Sequence, residues 1–397
     1  SNTLNFWTYT GNGTVGSKAS TDMSFMVGDY HYAYVTSPDF HPFRSNINFA
    51  SNKTFQESNA ITRCKIDRIT GAFSECADTG GTGYTSPVSL RFNASGTRAY
   101  ILDSSILSSD LSSITRCDVD RLTGTFSACT NEGGGNFYAS SSMALTPASD
   151  GIYVTSISTS PDLTHTTDNG YITYCPVDSE SGQISEEEHC TITSPNVALK
   201  LAPTEETANI PHYPFSITLN PAGTRAYIVG ADEIVTFTSL KHLFDDSEPS
   251  DVNVVVCDVN SGTFSNCALQ EQLTQTVSDE TYETIFFHLL RKITLNPAGT
   301  RAYMPYLDTA NFGIKRCDIN SSDGSFIADS CVDAISDLYD NPALMVTFNA
   351  DGTRAFLSNM FTNNVSACDV SSSTGDLSNC IDTGGEGFSS PYFIAIP

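Results

Sequence analysis

The sequence predicts an all-β fold, a β-propeller of four-stranded blades. Three observations carry that prediction. A two-part unit recurs along the chain, each part alternates apolar and polar residues about a turn, and twelve cysteines fall into six local pairs. Seven blades are expected, one of them completed by strands from both chain ends, and six blades plus an extra terminal segment is the alternative. Residues 1–397 read as one domain, with 1–20 completing a blade in its own or a neighbouring subunit.

The first part of the unit is clearest in Val88–Leu102 (VSLRFNASGTRAYIL), Ser216–Val229 (SITLNPAGTRAYIV), Lys292–Met304 (KITLNPAGTRAYM) and Val346–Leu357 (VTFNADGTRAFL). Weaker copies run over Met23–Thr36 and Met143–Thr155. In each clear copy, apolar residues alternate on both sides of an N-x-x-G turn whose late glycine suits a tight reversal. The anchor aromatics are Tyr34, Tyr100, Tyr153, Tyr227, Tyr303 and Phe356. The second part, as in Ile114–Cys129 (ITRCDVDRLTGTFSAC), alternates about D-R-L-T-G. There Asp120 can form an Asx turn and Gly124 can supply a positive φ. Asp67 and Asp178 recur at the same place and read as turn formers. Two hairpins per unit, with the anchor aromatics 53–76 residues apart and no helical periodicity, give four strands per blade.

The cysteine pairs belong to the second hairpin: Cys64/Cys76, Cys117/Cys129, Cys175/Cys190, Cys257/Cys267, Cys317/Cys331 and Cys368/Cys380. No CxxC occurs and no histidine pair follows at zinc-finger spacing, so the reading is six disulfides, each within one blade. Cys117 and Cys129 would then face each other across the third and fourth strands, within reach of a bridge. Six disulfides suit an oxidising compartment: extracellular, cell-surface or periplasmic.

The Tyr34-Val35-Thr36-Ser37 and Tyr153-Val154-Thr155-Ser156 stretches, with the N-P-x-G-T-R-A-Y copies, resemble the YVTN-type β-propeller repeat family. That family occurs in microbial surface-layer proteins and is similar to the lactonase-like propellers. The resemblance covers nearly the whole chain, and it implies the fold and an extracellular setting rather than a reaction.

Six units run from Met23 to Cys380. The segment Gly384–Pro397 then matches Gly80–Asn93, the approach to an inner strand. With Met23–Val27 taken as the inner strand of the first unit, the C-terminal strand would open a seventh blade, and Leu4–Ser20 would supply its other hairpin. An open edge of that kind invites strand donation between subunits, forming rings or fibres. Phe6, Trp7 and Tyr9 at one end, with Phe393, Ile394 and Ile396 at the other, are the assembly candidates.

A formal charge of −26, from 19 basic and 45 acidic residues, opposes binding to nucleic acid or anionic lipid. The longest apolar runs are too short to span a bilayer. The chain begins at Ser1 without a basic-plus-apolar leader, which reads as a processed protein. The two tight turns of each blade share one face, so the variable connections share the other. From anchor aromatic to first cysteine the separation is 12 residues between Phe356 and Cys368, but 30 between Tyr34 and Cys64. Function is therefore expected on the face with the long loops.

His41, His165, His212, His242 and His288 fall on that face, without HxH or HExxH spacing. Asp162, His165 and Asp168 could hold Ca²⁺ but fit no EF-hand pattern, so no cofactor is expected. Glu186–Glu188 and Asp245–Asp251 read as solvated acidic loops. Arg98, Arg225, Arg301 and Arg354 recur beside the turn motif, which favours pairing with an Asp or a carbonyl between blades over an anion-binding ring. The sequons at Asn12, Asn52, Asn93, Asn320 and Asn364 permit glycosylation in an exported chain.

No G-x-S-x-G elbow occurs, and the inner strands VSLRF, SITLN, KITLN and VTFN hold few titratable groups. The expectation is a non-catalytic surface or extracellular module that self-assembles as a homo-oligomer or polymer. The alternatives are a lactonase-like hydrolase, and an adhesin that binds surface glycans or proteins through aromatic platforms.

Overall fold

The computed structural model describes residues 32–38, 60–104, 112–133, 137, 140–156, 170–185, 189–193, 213–231, 252–273, 292–308, 311–335, 343–359 and 362–397. They form six four-stranded antiparallel sheets. The first holds β1 (Tyr32–Ser37), β2 (Ala60–Ile66) and β3 (Phe73–Asp78). The second holds β4 (Pro87–Phe92), β5 (Arg98–Asp103), β6 (Ser113–Val119) and β7 (Phe126–Asn131). The third holds β8 (Ser140–Leu145), β9 (Gly151–Ser156), β10 (Tyr171–Pro176) and β11 (Thr191–Thr193). The fourth is built from β12 (Tyr213–Leu219), β13 (Arg225–Ala231), β14 (Val252–Asn260) and β15 (Thr263–Leu273). The fifth comprises β16 (Thr294–Leu295), β17 (Arg301–Asp308), β18 (Asn311–Asp318) and β19 (Val332–Ile335). The sixth comprises β20 (Ala343–Phe348), β21 (Arg354–Asn359), β22 (Asn364–Val370) and β23 (Leu377–Asp382). The last strand of the chain, β24 (Phe393–Ala395), returns to the first sheet.

The expectation of seven blades is therefore corrected to six. β24 pairs with β1, with Val35 opposite Ile394 and Thr36 opposite Phe393, and fills the inner position that the sequence reading gave to Met23–Val27. Phe393 and Ile394 are fully buried there, and Ile396 packs partly buried on the same core, so they close the ring within one chain rather than leaving an open edge. The physical reason is that a strand edge next to Val35 is satisfied equally well by either chain end, and chain order does not say which. The N-terminal candidates Phe6, Trp7 and Tyr9, with Leu4–Ser20 and Met23–Val27, lie outside the described residues.

The turns form as the motif dictates. In the first hairpin, the Asn93 side-chain oxygen accepts the backbone N–H of Thr97 at 2.8 Å and of Arg98 at 3.0 Å. Asn220 and Asn296 do the same at their copies. In the second hairpin, the Asp67 carboxylate accepts N–H groups from Ile69 and Thr70, and these bonds hold its pKa below the ordinary value. Asp120 and Asp178 repeat the arrangement, and Gly124 takes φ 70° as the turn requires.

All six expected disulfides are present: Cys64–Cys76, Cys117–Cys129, Cys175–Cys190, Cys257–Cys267, Cys317–Cys331 and Cys368–Cys380, with Cα–Cα distances of 4.0–4.3 Å. The first cysteine of every pair lies on the third strand of its blade and is fully buried. The second cysteines differ from one another. Cys76, Cys129, Cys267 and Cys380 lie on the outer strands β3, β7, β15 and β23, as a bridge across neighbouring strands requires. Cys190 and Cys331 instead stand one residue before β11 and β19, and both bridges still close within their own blade. Their hairpins are the longest, with sequence separations of 15 and 14 between the cysteines, so the outer strand starts later and the cysteine falls in its approach. Cys267 is buried, whereas Cys76, Cys129, Cys190, Cys331 and Cys380 are half-buried because the outer strand faces the rim. In four blades the strand register shifts at the first cysteine, as between Arg63 and Lys65, so a bulge sets the two sulfurs face to face.

The anchor aromatics cement neighbouring blades. Tyr34 stacks on Phe126, Tyr153 on Phe264, Tyr227 on Phe326 and Phe356 on Phe73, at centroid distances of 5.3–6.1 Å. Tyr100, Tyr227 and Tyr303 each donate a hydroxyl bond to a turn glycine of the next blade, namely Gly182, Gly324 and Gly375. The recurring arginines join the same latch. Arg225, Arg301 and Arg354 donate to carbonyls of Asp323, Ser373 and Ile69, and Arg98 donates to that of Glu180. The first three also pair with an aspartate of their own blade, Asp258, Asp318 or Asp369. The expected inter-blade pairing of these arginines is what the structure contains.

Candidate functional site at the channel

The inner strands of the six blades, β24, β4, β8, β12, β16 and β20, border the axis of the propeller. Their first residues lie at the end that carries the long connections. That end is rich in buried hydroxyls, which stitch one blade to the next. Ser141 donates to the carbonyl of Phe215 at 2.7 Å, and Ser216 accepts from Ile293 N–H at 3.3 Å. Ser358 donates to the carbonyl of Tyr392 at 3.2 Å. Ser89 is buried on β4 with no hydrogen-bond partner for its hydroxyl among the described residues.

Across this collar lies Lys292, which immediately precedes Ile293 and the short β16. Its side chain is only 2% exposed. The ammonium donates to the backbone carbonyl of Ser141, two blades away, and sits 5.3 Å from the ring centroid of Tyr392, two blades away on the other side. Lysine has the reach for this because its four-carbon stem can lie along apolar surface while only the tip needs a polar partner. Burial drives its pKa from 10.5 down to about 7, and the nearby Arg91 charge acts in the same direction.

Arg91, on β4, is the second cation. Its guanidinium carbon lies 4.6 Å from the ring centroid of Phe393, and Nη1 donates to the carbonyl of Leu90 at 3.1 Å. Burial lowers its pKa to about 10. Among the described residues no Asp or Glu pairs with either cation. The contrast with the arginines of the blades is sharp: Arg116 pairs with Glu132, Arg225 with Asp258 and Arg316 with both Asp318 and Asp376.

The arrangement offers an amine that changes protonation near neutral pH, a permanent cation beside it, and two aromatic faces. Such a site can accept a proton, hold an oxyanion, or do both in turn.

Neither cation was singled out from sequence, yet the signal was in the repeat. The position of Lys292 is filled in the other copies by Ser89, Ser142, Ser216, Met345 and Phe393. Arg91 stands where Ala144, Thr218, Thr294, Thr347 and Ala395 stand. A charge in a column of small or apolar residues marks a departure from the architecture.

The candidates that were singled out fare differently. His41, His165, His212, His242 and His288 lie outside the described residues, as do Asp162, Asp168, Glu186–Glu188 and Asp245–Asp251. Among the described residues no group of three His, Cys, Asp or Glu could hold a metal ion. Asn93 and Asn320 spend their side chains on turn bonds, and Asn364 bonds Asp382. Asn12 and Asn52 lie outside the described residues.

The fold is shared with solved propeller structures at low identity. A protein of Bacteroides fragilis provisionally assigned as a 6-phosphogluconolactonase is 12% identical, with a TM-score of 0.54 over 93% of this chain and 98% of that one. The periplasmic gluconolactonase of Pseudomonas aeruginosa is 10% identical, with a TM-score of 0.53 over 92% of this chain and 99% of that one. A Sulfolobus tokodaii protein described as a hypothetical selenium-binding protein gives 10% and 0.52, over 93% of each chain. No protein-family model matches the sequence, and no curated protein matches it either.

Proposed function

We propose that this chain is an exported, disulfide-braced β-propeller that binds a small oxygen-rich ligand at the loop-bearing end of its channel and acts on it as a lactonase-like hydrolase. The observation that supports this reading is Lys292, a buried amine whose pKa lies near 7 at the propeller axis. Between neutral pH and mild alkali this amine is free to take the proton of a water attacking a lactone carbonyl. The attack forms the C–O bond to water, and the ring C–O bond breaks as the ammonium returns that proton to the leaving ring oxygen; the product hydroxy acid then loses its carboxyl proton to solvent. Arg91 would face the carboxylate so formed. The fold likeness to gluconolactonases makes sugar lactones the first substrates to try. The six disulfides support an extracellular or periplasmic setting.

The test is pH-stat titration of δ- and γ-lactones of sugar acids with the purified, oxidised protein. Turnover should rise with pH on a group titrating near 7, and Lys292→Met should abolish it. No turnover above the uncatalysed rate would return the protein to the non-catalytic reading.

One observation favours that second reading, of a structural or interaction module. The same Tyr, Arg and turn-glycine latch recurs between blade after blade, which is the economy of a scaffold. Under it, self-assembly would run through the N-terminal segment 1–20 alone, because the C-terminal strand is already paired. Light scattering of the full chain against a form lacking residues 1–20 checks this reading.

A further inference from the structure

We infer that the channel holds a binding site for a small oxyanion, a carboxylate or an inorganic oxyanion, clasped between Lys292 and Arg91. The inference deepens the proposed function, because it assigns a negative charge to the ligand, but it does not require hydrolysis. Six other cations in the described structure, Lys65, Arg116, Arg225, Arg301, Arg316 and Arg354, each lie against a carboxylate of the same chain. Lys292 and Arg91 do not, although Lys292 is buried and Arg91 is half-buried beside the axis, where an unpaired charge is costly.

In place of a countercharge, the fold offers them one carbonyl oxygen each and the faces of two aromatic rings. Two cations in one channel also repel each other, as the lowering of the Lys292 pKa by Arg91 records. An anion between them would offset the desolvation penalty and the repulsion together. The surroundings also favour a small ligand over a macromolecule. Lys292 is almost wholly enclosed, and Ser141 and Ser216 beside it are buried and stitched to neighbouring blades, so the described residues around the amine suit a small molecule rather than a protein. The bulk charge of −26 repels anions from the outer surface, so any anion retained must be held by a local site such as this one.

The experiment uses the full, oxidised chain at pH 6, where Lys292 carries its proton. Isothermal titration calorimetry and thermal unfolding would be run with sulfate, phosphate and gluconate, each against chloride of equal ionic strength. One saturable site is expected, with a rise in Tm for at least one of the three. A response to sulfate or phosphate assigns an inorganic oxyanion, and a response confined to gluconate assigns an organic acid. Lys292→Met and Arg91→Met should each weaken binding at least tenfold, and using both keeps the test open if one variant fails to fold.

A response no larger than that to chloride for all three anions would overturn the inference. So would saturable binding that both folded variants retain. The two proposals fail separately. Lactone turnover that depends on Lys292 without anion binding sinks this inference alone, whereas anion binding without turnover sinks only the hydrolase.

Discussion

Replacing Lys292 with methionine should make this protein more stable in mild acid, an unusual outcome for a buried residue. The buried side chain has its pKa lowered from 10.5 to about 7, so the folded chain releases a proton that the unfolded chain keeps between those values. Stability must then rise with pH across that window, and the full burial penalty is felt below pH 7. The drop of about 3.5 in pKa corresponds to ~5 kcal/mol at ~1.36 kcal/mol per pH unit, an upper bound for the whole window.

Buried tyrosines limit how far up the window one can work. Tyr84, Tyr227 and Tyr303 are pushed from 10.0 up to about 12 by burial, so their contribution is present below pH 10 and is lost above it. Between pH 6 and 9.5 the lysine alone should therefore add ~3 kcal/mol. Methionine fills a similar volume without a charge, and such replacements of buried ions often stabilise by ~1–4 kcal/mol. The assay is urea unfolding in chloride buffers, free of sulfate, phosphate and carboxylates, at pH 6, 7.5, 8.5 and 9.5. Lys292→Met should exceed the wild type at pH 6 and lose most of that advantage by pH 9.5. If the two stability profiles run parallel, Lys292 is not the isolated charge described here and the reasoning is wrong.

Other outcomes follow from the ring and its latches. Truncation after Ser390 removes the inner strand of the first blade and should abolish cooperative unfolding by circular dichroism, while Ile394→Ala should lower stability by ~2–4 kcal/mol. Tyr303→Phe deletes one hydroxyl bond to the Gly375 carbonyl and should cost ~1 kcal/mol in chemical denaturation. Replacing Cys117 and Cys129 together by alanine should cost ~3 kcal/mol, and non-reducing peptide mapping should find only within-blade bridges. Asn296→Ala withdraws the acceptor for two turn N–H groups and should cost ~1–2 kcal/mol, read as a lower Tm.

The architecture was legible because it is written locally. An asparagine whose side chain bonds the backbone four and five residues on needs only its own turn to act, and so does an aspartate that caps the Asp67 or Asp120 hairpin. The cysteine pairs were legible for the same reason, since both partners sit on one hairpin and the bulge beside them is a property of that hairpin. Where the hairpin lengthens, as before Cys190 and Cys331, the pairing was still legible but the start of the outer strand was not. The arginine latch was half legible. Its recurrence beside the turn marked it as architectural, while its acceptors, such as the Ser373 and Ile69 carbonyls, belong to the next blade.

The candidate site was not legible in the sequence because a strand string shows composition and not position about an axis. KITLN and VSLRF each contribute one charge, which looks sparse in a line of text. In the ring those two charges are brought to one channel, from the fifth and second blades, and no carboxylate among the described residues follows them. Histidine carries its acid–base chemistry in the residue itself, whereas a lone lysine acquires it only from surroundings that strip its water.

By itself, then, the amino-acid sequence determined what short range can determine: strand alternation, turn chemistry, the six covalent pairs and the repeat that stacks them. Tertiary structure decided which chain end closes the ring. The edge beside Val35 offers the same hydrogen bonds to any strand, and only the three-dimensional path of the chain delivers Ile394 to it. It also decided where charge is stranded. Desolvation is a property of everything that surrounds a group, and for Lys292 those surroundings come from blades on opposite sides of the axis.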